Sequence, residues 1–245
     1  MKATVVFGST VLASGVLLAT VLPAAPAAAA ATSTSVGPPG GTAPGAPGAL
    51  SHFDLARKDC VGTAVERSSK VWYTVAGGVL SDVYNPTVDN TNVQTMQFLV
   101  TDGHTFTDLQ TRDTTYSVRT LDDSGLSCEV TSTARSGRYR IVARYVTDPR
   151  RDAVVVQVHL SGRPGLALYV RLDPSVNGNG GGGADNGGAD DATVDPATTA
   201  LVSSDTNTVT NAANRDYAVP TAMALRADRP FPVASSGYAG TANIE

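Results

Sequence analysis

Between residues 70 and 172 apolar and polar side chains alternate with period two, and Gly, Pro, Asp or Asn interrupts the alternation every several residues. That period places successive side chains on opposite faces of an extended strand, so a chain of this kind buries one face per strand and folds as sheets. No segment sustains the 3.6-residue period of an amphipathic helix. Residues 138–146 show the pattern best. Tyr139, Ile141, Ala143 and Tyr145 share one face, while Arg138, Arg140 and Arg144 share the other. Residues 153–160 align Val154, Val156, Val158 and Leu160, and residues 166–172 align Leu166, Leu168, Val170 and Leu172. Asp148-Pro149 and Asp173-Pro174 are read as the stops of the first and third of these strands.

The earlier strands are bounded by turn dipeptides. Residues 71–76 and 79–84 flank Gly77-Gly78, a hairpin signal, since glycine accepts the positive φ that such turns need. Residues 95–101 end at Asp102-Gly103, residues 115–121 at Asp122-Asp123-Ser124-Gly125, and residues 126–133 before Ser136-Gly137. Residues 197–202, 206–212 and 222–227 are further strand candidates. Residues 176–194 are mostly Asn, Gly and Asp and read as a long surface loop. Many short strands joined by tight turns predict an all-β fold, a sandwich or barrel.

The N-terminus has a different character. Lys2 precedes an apolar run over residues 5–22, followed by Pro23 and an alanine-rich stretch with an A-x-A site near Ala28 to Ala30. This reads as a secretory signal peptide over residues 1–31, removed to leave a secreted, extracellular protein with no membrane span. Residues 32–48 are Gly, Pro, Ala, Ser and Thr, with Val36 as their one larger aliphatic residue and no aromatic, and read as a disordered linker. Folded material is expected over residues 49–245. Cys60 and Cys128 are the two cysteines; an exported protein can join them, and the sequence leaves the pairing open. Net charge is −4 without a basic cluster, which argues against nucleic acid as a partner.

Hydrolysis of a glycosidic bond needs two carboxyl groups facing each other, one protonated and one ionised. Glutamate is scarce, at Glu66, Glu129 and Glu245, and Asp102, Asp122, Asp148 and Asp173 sit where strand-ending turns use the side chain to cap backbone amides. No acid/base couple stands out. His52, His104 and His159 have no metal-ligand spacing. Residues 180–185, Gly-Gly-Gly-Gly-Ala-Asp, match the start of a calcium-binding β-roll repeat that does not recur. Asp185, Asp190 and Asp191 are therefore weak calcium candidates beside the plainer reading of a loop. Trp72, Tyr73 and Tyr84 are candidates for an aromatic platform under a sugar ring. Trp72 and Tyr73 must point to opposite faces, and Trp72 is expected in the core.

Several multi-residue blocks carry a resemblance. Ser69-Lys70-Val71-Trp72-Tyr73-Thr74 is followed by Gly78-Val79-Leu80-Ser81-Asp82-Val83-Tyr84-Asn85-Pro86 and Asp89, and then by residues 97–103, Gln-Phe-Leu-Val-Thr-Asp-Gly. Residues 137–141, 147–152, 168–170 with Asp173-Pro174, and 235–241 continue the series. From about Gly48 onward this order of blocks resembles the N-terminal domain of bacterial glucoamylases and glucodextranases of glycoside hydrolase family 15. The resemblance implies a large antiparallel β-sandwich of the supersandwich, galactose-mutarotase-like type, packed on a helical (α/α)6 barrel that holds two catalytic glutamates. It implies removal of glucose from non-reducing ends of α-glucans by the whole enzyme, with inversion and without a cofactor. No position here matches the catalytic motifs, so the barrel is expected to be absent from this chain and the chain inactive alone. Tyr84, Asn85, Pro86 and Asp89 are the candidates for contact with carbohydrate or with the barrel. At Asn85 and at Gln94-Thr95 the chain departs from the usual pattern, Tyr-Tyr-Pro and Arg-Asp respectively. A free-standing secreted carbohydrate-binding module and an inactive gene fragment are the alternative readings.

Overall fold

The computed structural model describes residues 58–178, 190–205 and 220–236, together with the backbone path of Lys2–Val11. Fourteen strands and one helical turn are formed by these residues: β1 Lys2–Val11, β2 Cys60–Thr63, β3 Trp72–Ala76, β4 Val79–Tyr84, β5 Thr91–Thr101, β6 Thr107–Leu109, α1 Gln110–Asp113, β7 Thr114–Thr120, β8 Cys128–Ala134, β9 Tyr139–Thr147, β10 Ala153–Gly162, β11 Ala167–Gly178, β12 Asp190–Val194, β13 Leu201–Asp205 and β14 Thr221–Ala227. They make two antiparallel sheets. One has eight strands in the order β12-β13-β14-β1-β10-β9-β8-β7, and the other runs β11-β5-β4-β3-β2 with β6 also paired to β5.

The sheets face each other across one apolar core, as the all-β sandwich reading requires. Tyr73, Leu80, Met96 and Phe98 enter it from the six-stranded sheet, and Ile141, Tyr145, Val156 and Leu225 from the eight-stranded one. In β9 the expected face is buried residue by residue while its arginines face out. Gly77 and Gly78 both have positive φ, at 61° and 80°, and close the β3–β4 hairpin in the way a two-residue loop demands. Cys60 on β2 is bonded to Cys128 on β8, with Cα atoms 6.6 Å apart, so the open pairing question resolves into a covalent link between the sheets. A buried amide adds a polar link. Gln110 accepts from the Phe98 amide at 3.0 Å and donates, at 3.0 Å each, to the Gly78 carbonyl in one sheet and Ser132 in the other.

Four expectations are corrected. Asp173-Pro174 does not end its strand: β11 continues to Gly178 through two register shifts at Pro174, because a bulge accommodates the missing amide. Both ends of the expected loop over residues 176–194 are strand instead, with Val176 and Asn177 buried at one end and β12 paired to β13 at the other. The strand expected over residues 197–202 begins at Leu201, after a turn in which Asp195 accepts from the Ala197 amide at 3.2 Å. Trp72 and Tyr73 exchange roles. Tyr73 is fully buried and Trp72 is 37% exposed. The strand candidate over residues 206–212, the stretch expected as a linker and residues 12–31 of the expected signal peptide lie outside the described residues. Residues 2–11 form strand β1, between β10 and β14.

Candidate functional site on the outer face of the smaller sheet

The swap of Trp72 and Tyr73 creates a surface. Residues directly opposite in an antiparallel pair share a face, and Trp72 pairs with Tyr84 while Thr74 pairs with Asp82. On the other side of β3, Val61 pairs with Thr74 and Thr63 with Trp72. All six therefore lie on the face turned away from the core. Val61 is 40% exposed, one ladder step diagonal to Trp72, and Tyr84 is half-buried. Parity along β3 is set from the inside. The Tyr73 ring lies over Gly62, where a Cβ would come within 2.1 Å of it, and its hydroxyl donates to the Tyr145 carbonyl at 2.7 Å. Only Tyr73 meets that slot, so Trp72 must turn outward.

A polar group sits beside the aromatic pair. Asp82 is buried, forms an ion pair with Lys58, and accepts from the Thr74 hydroxyl at 2.8 Å. Thr74 and Ser81 share a hydrogen bond of 2.8 Å. The Tyr84 hydroxyl reaches Asp82 and Thr74; burial, and then the Asp82 charge, push its pKa up to about 12. Tyr84 is thus a neutral donor at any physiological pH. A flat aromatic face next to fixed donors and acceptors suits a ligand with an apolar side and hydroxyls at its edge.

Of the residues singled out in the sequence, Tyr84 belongs to this face and the next three form its adjoining loop. Asn85 is buried. Its amide donates to the Asn90 carbonyl at 3.1 Å, and its carbonyl accepts from Asn92 at 2.9 Å, so it holds the loop closed. Pro86 follows through a cis peptide bond and is partly exposed, and Asp89 lies at the exposed tip beside Val88, which is 63% exposed. Sequence reasoning passed over Val61, Lys58 and Asp82. The parity of β2 and β3 would have found the first, and nothing local marks the other two.

The remaining candidates are placed elsewhere. Asp185 lies outside the described residues, and Asp190 and Asp191 pair with Asp205 and Ser204 in the β12–β13 ladder. The turn reading of the aspartates is supported at three positions. Asp102 accepts from the amides of His104, Thr105 and Phe106, Asp122 from Ser124, and Asp148 from Arg150 and Arg151. Asp173 instead lies in β11 opposite Thr95. Glu129 is held between Arg119 and Arg144 at 2.8 and 2.7 Å. Burial pushes its pKa up, and the two arginines more than offset this, leaving it below the usual carboxylate range. Asp102, Asp113, Asp122 and Asp195 are likewise held low by hydrogen bonds.

The profile of the family described as glucodextranase, domain N, matches residues 43–244. The chain belongs to that family. A glucoamylase from Clostridium sp. (strain G0005) is 36% identical over 138 residues, which are 55% of this chain and 20% of that protein. A crystal structure of a bacterial glucoamylase complexed with acarbose shares the fold, with a TM-score of 0.52 and 24% identity, over 75% of this chain and 32% of that one. This glucodextranase N domain therefore spans a fifth of the length of one relative and a third of the other. Its strands β3 and β4, with the Trp72–Tyr84 pair, lie inside the matched region.

Proposed function

We propose that this chain is the N-terminal, non-catalytic β-sandwich of an exported α-glucan exo-hydrolase of the glucoamylase or glucodextranase type. In that reading it supports a helical (α/α)6 catalytic barrel and offers the Trp72–Tyr84 face to α-glucan. The observation that carries the carbohydrate role is the outward aromatic pair beside buried Asp82 and Thr74 and the half-buried Lys58. Sugar rings present an apolar face that stacks on such aromatics, with hydroxyls at the rim for the polar groups. The non-catalytic role is supported by the state of the carboxyl groups. An inverting pair needs one acid held protonated, whereas among the described residues the carboxyls that are clearly displaced, Glu129 among them, are displaced toward the ionised form.

Affinity electrophoresis of the whole chain in gels containing soluble starch or dextran tests the reading. The chain should be retarded, and Trp72→Ala should weaken retardation at least fivefold while leaving the melting temperature within a few degrees. Unchanged retardation in that variant would remove the face from the proposal. Release of glucose from maltooligosaccharides that follows the protein through purification would overturn the non-catalytic role.

A further inference from the structure

The eight-stranded sheet contains a strand that the family domain does not include. Residues 2–8 of β1 pair with residues 159–153 of β10, and residues 5–11 pair with residues 227–221 of β14, both antiparallel. The family match begins at residue 43, and residues 2–11 fall in a segment that reads as a signal peptide. Without β1, strands β10 and β14 stand two inter-strand spacings apart, about 9.5 Å, too far to bond to each other. Each then presents a row of unpaired amides and carbonyls in the middle of a sheet, which folded proteins avoid.

The slot also borders the core. Val154, Val156 and Val158 of β10 and Met223 and Leu225 of β14 are buried. The register sets them opposite Phe7, Val5, Ala3 and Ser9. An occupant must therefore be extended, at least seven residues long, and apolar at alternate positions. The residues immediately after β14 do not supply it. They cross to the far side, where the Phe231 amide donates to Thr199 at 2.8 Å and the Ser236 hydroxyl to the Ala192 carbonyl of β12 at 3.1 Å.

We propose that the gap between β10 and β14 is a strand acceptor, and that in the exported protein it is filled by an extended segment of the polypeptide following this domain in the longer enzyme. A later segment of the same polypeptide is favoured over a second copy because the matched residues cover 20% of the glucoamylase relative, leaving most of such a protein outside the match. Main-chain bonding to two strand edges supplies affinity, and alternate apolar positions supply register. The slot rests on the sheet and on removal of residues 2–11 as a signal peptide, whereas the assigned occupant rests on the reading of the chain as part of a longer enzyme.

The test uses the full chain with a protease site introduced within residues 12–31, and a labelled synthetic peptide of residues 2–11. After cleavage and removal of the freed segment, the body should take up the peptide one to one. Uptake should be lost when the peptide carries Val5→Asp and Phe7→Asp. The longer natural protein, without its signal peptide, should take up none because its slot is occupied. A cut chain that refuses the peptide, or a long form that binds it, would overturn the proposal. Dimerisation of the cut chain that blocks the peptide would give the slot to a second copy and overturn the assigned occupant. If the cut body precipitates, hydrogen exchange on the uncut chain decides: unprotected amides on the side of β10 away from β9 would overturn the slot. Loss of glucan binding in the Trp72 variant bears on the other sheet and leaves all these outcomes unchanged.

Discussion

Gly62 sets the orientation of β3. Its missing side chain leaves room for the Tyr73 ring, which is buried beside Tyr145 with ring centres 6.1 Å apart. Burial pushes the Tyr73 hydroxyl pKa well above the ordinary tyrosine value, so it acts as a permanent donor to the Tyr145 carbonyl. Gly62→Ala should therefore force a packed ring aside and cost about 1–3 kcal/mol in a denaturant melt. A variant as stable as the parent would show that Tyr73 has room to move. Glu129 makes a second residue-scale prediction. Its pKa is depressed in the fold, so its stabilising effect is complete above the ordinary carboxylate range. That effect is lost as pH falls through the folded value. Glu129→Gln should cost about 1 kcal/mol at pH 7, the arginines being about half exposed, and should flatten the acid side of the pH–stability curve. An unchanged acid limb would place the pH dependence elsewhere.

At the scale of elements, the faces of the longest strands are legible in the sequence, and so are the ends at Gly77-Gly78, Asp102-Gly103 and Asp148-Pro149, whereas the end of β11 is not. Alternation in residues 138–146 and 153–160 named the buried faces of β9 and β10, because a half-buried strand repeats every two residues. Asp-Pro usually stops a strand, but β11 runs on through Asp173-Pro174. Here Asn177 is gripped by hydrogen bonds: its amide donates to Asn92, and its side chain accepts from Asn90 and donates to Asp205. Those partners are distant in sequence, and no local rule anticipates them. They also define what deletion will tolerate. Removing residues 181–188 should change stability by less than about 1 kcal/mol, since loop closure depends weakly on length. Extending the deletion back through Val176 and Asn177 should abolish cooperative unfolding by circular dichroism. Equal melts for the two deletions would contradict the role given to this end of β11.

For the whole molecule, the Cys60–Cys128 bond closes a sequence separation of 68 residues and ties the edge strand β2 to β8 in the opposite sheet. A cross-link of that span restricts the unfolded chain by about 4 kcal/mol in the chain-entropy account. Cys60→Ser with Cys128→Ser should lower the denaturation midpoint accordingly, and reducing agent should have no further effect on that variant. A double variant that melts with the oxidised parent would show that the sheets need no covalent tie. Such a bond persists in an oxidising environment. It is consistent with the export proposed for the parent enzyme.

What the sequence determined by itself was the class of fold, the faces of its longest strands, the Gly77-Gly78 hairpin and, through its ordered blocks, the family. Each is carried by neighbours in the chain: a two-residue period, a turn dipeptide, a run of matched residues. Tertiary structure alone decided which of Trp72 and Tyr73 faces outward, that Asp82 and Lys58 join the Tyr84 face, that Asn85 is turned into the loop, and that the two cysteines meet. Those outcomes depend on contacts across sheets and between distant strands. There a missing Cβ at Gly62 or a carbonyl at Tyr145 settles a choice that local alternation leaves two-fold.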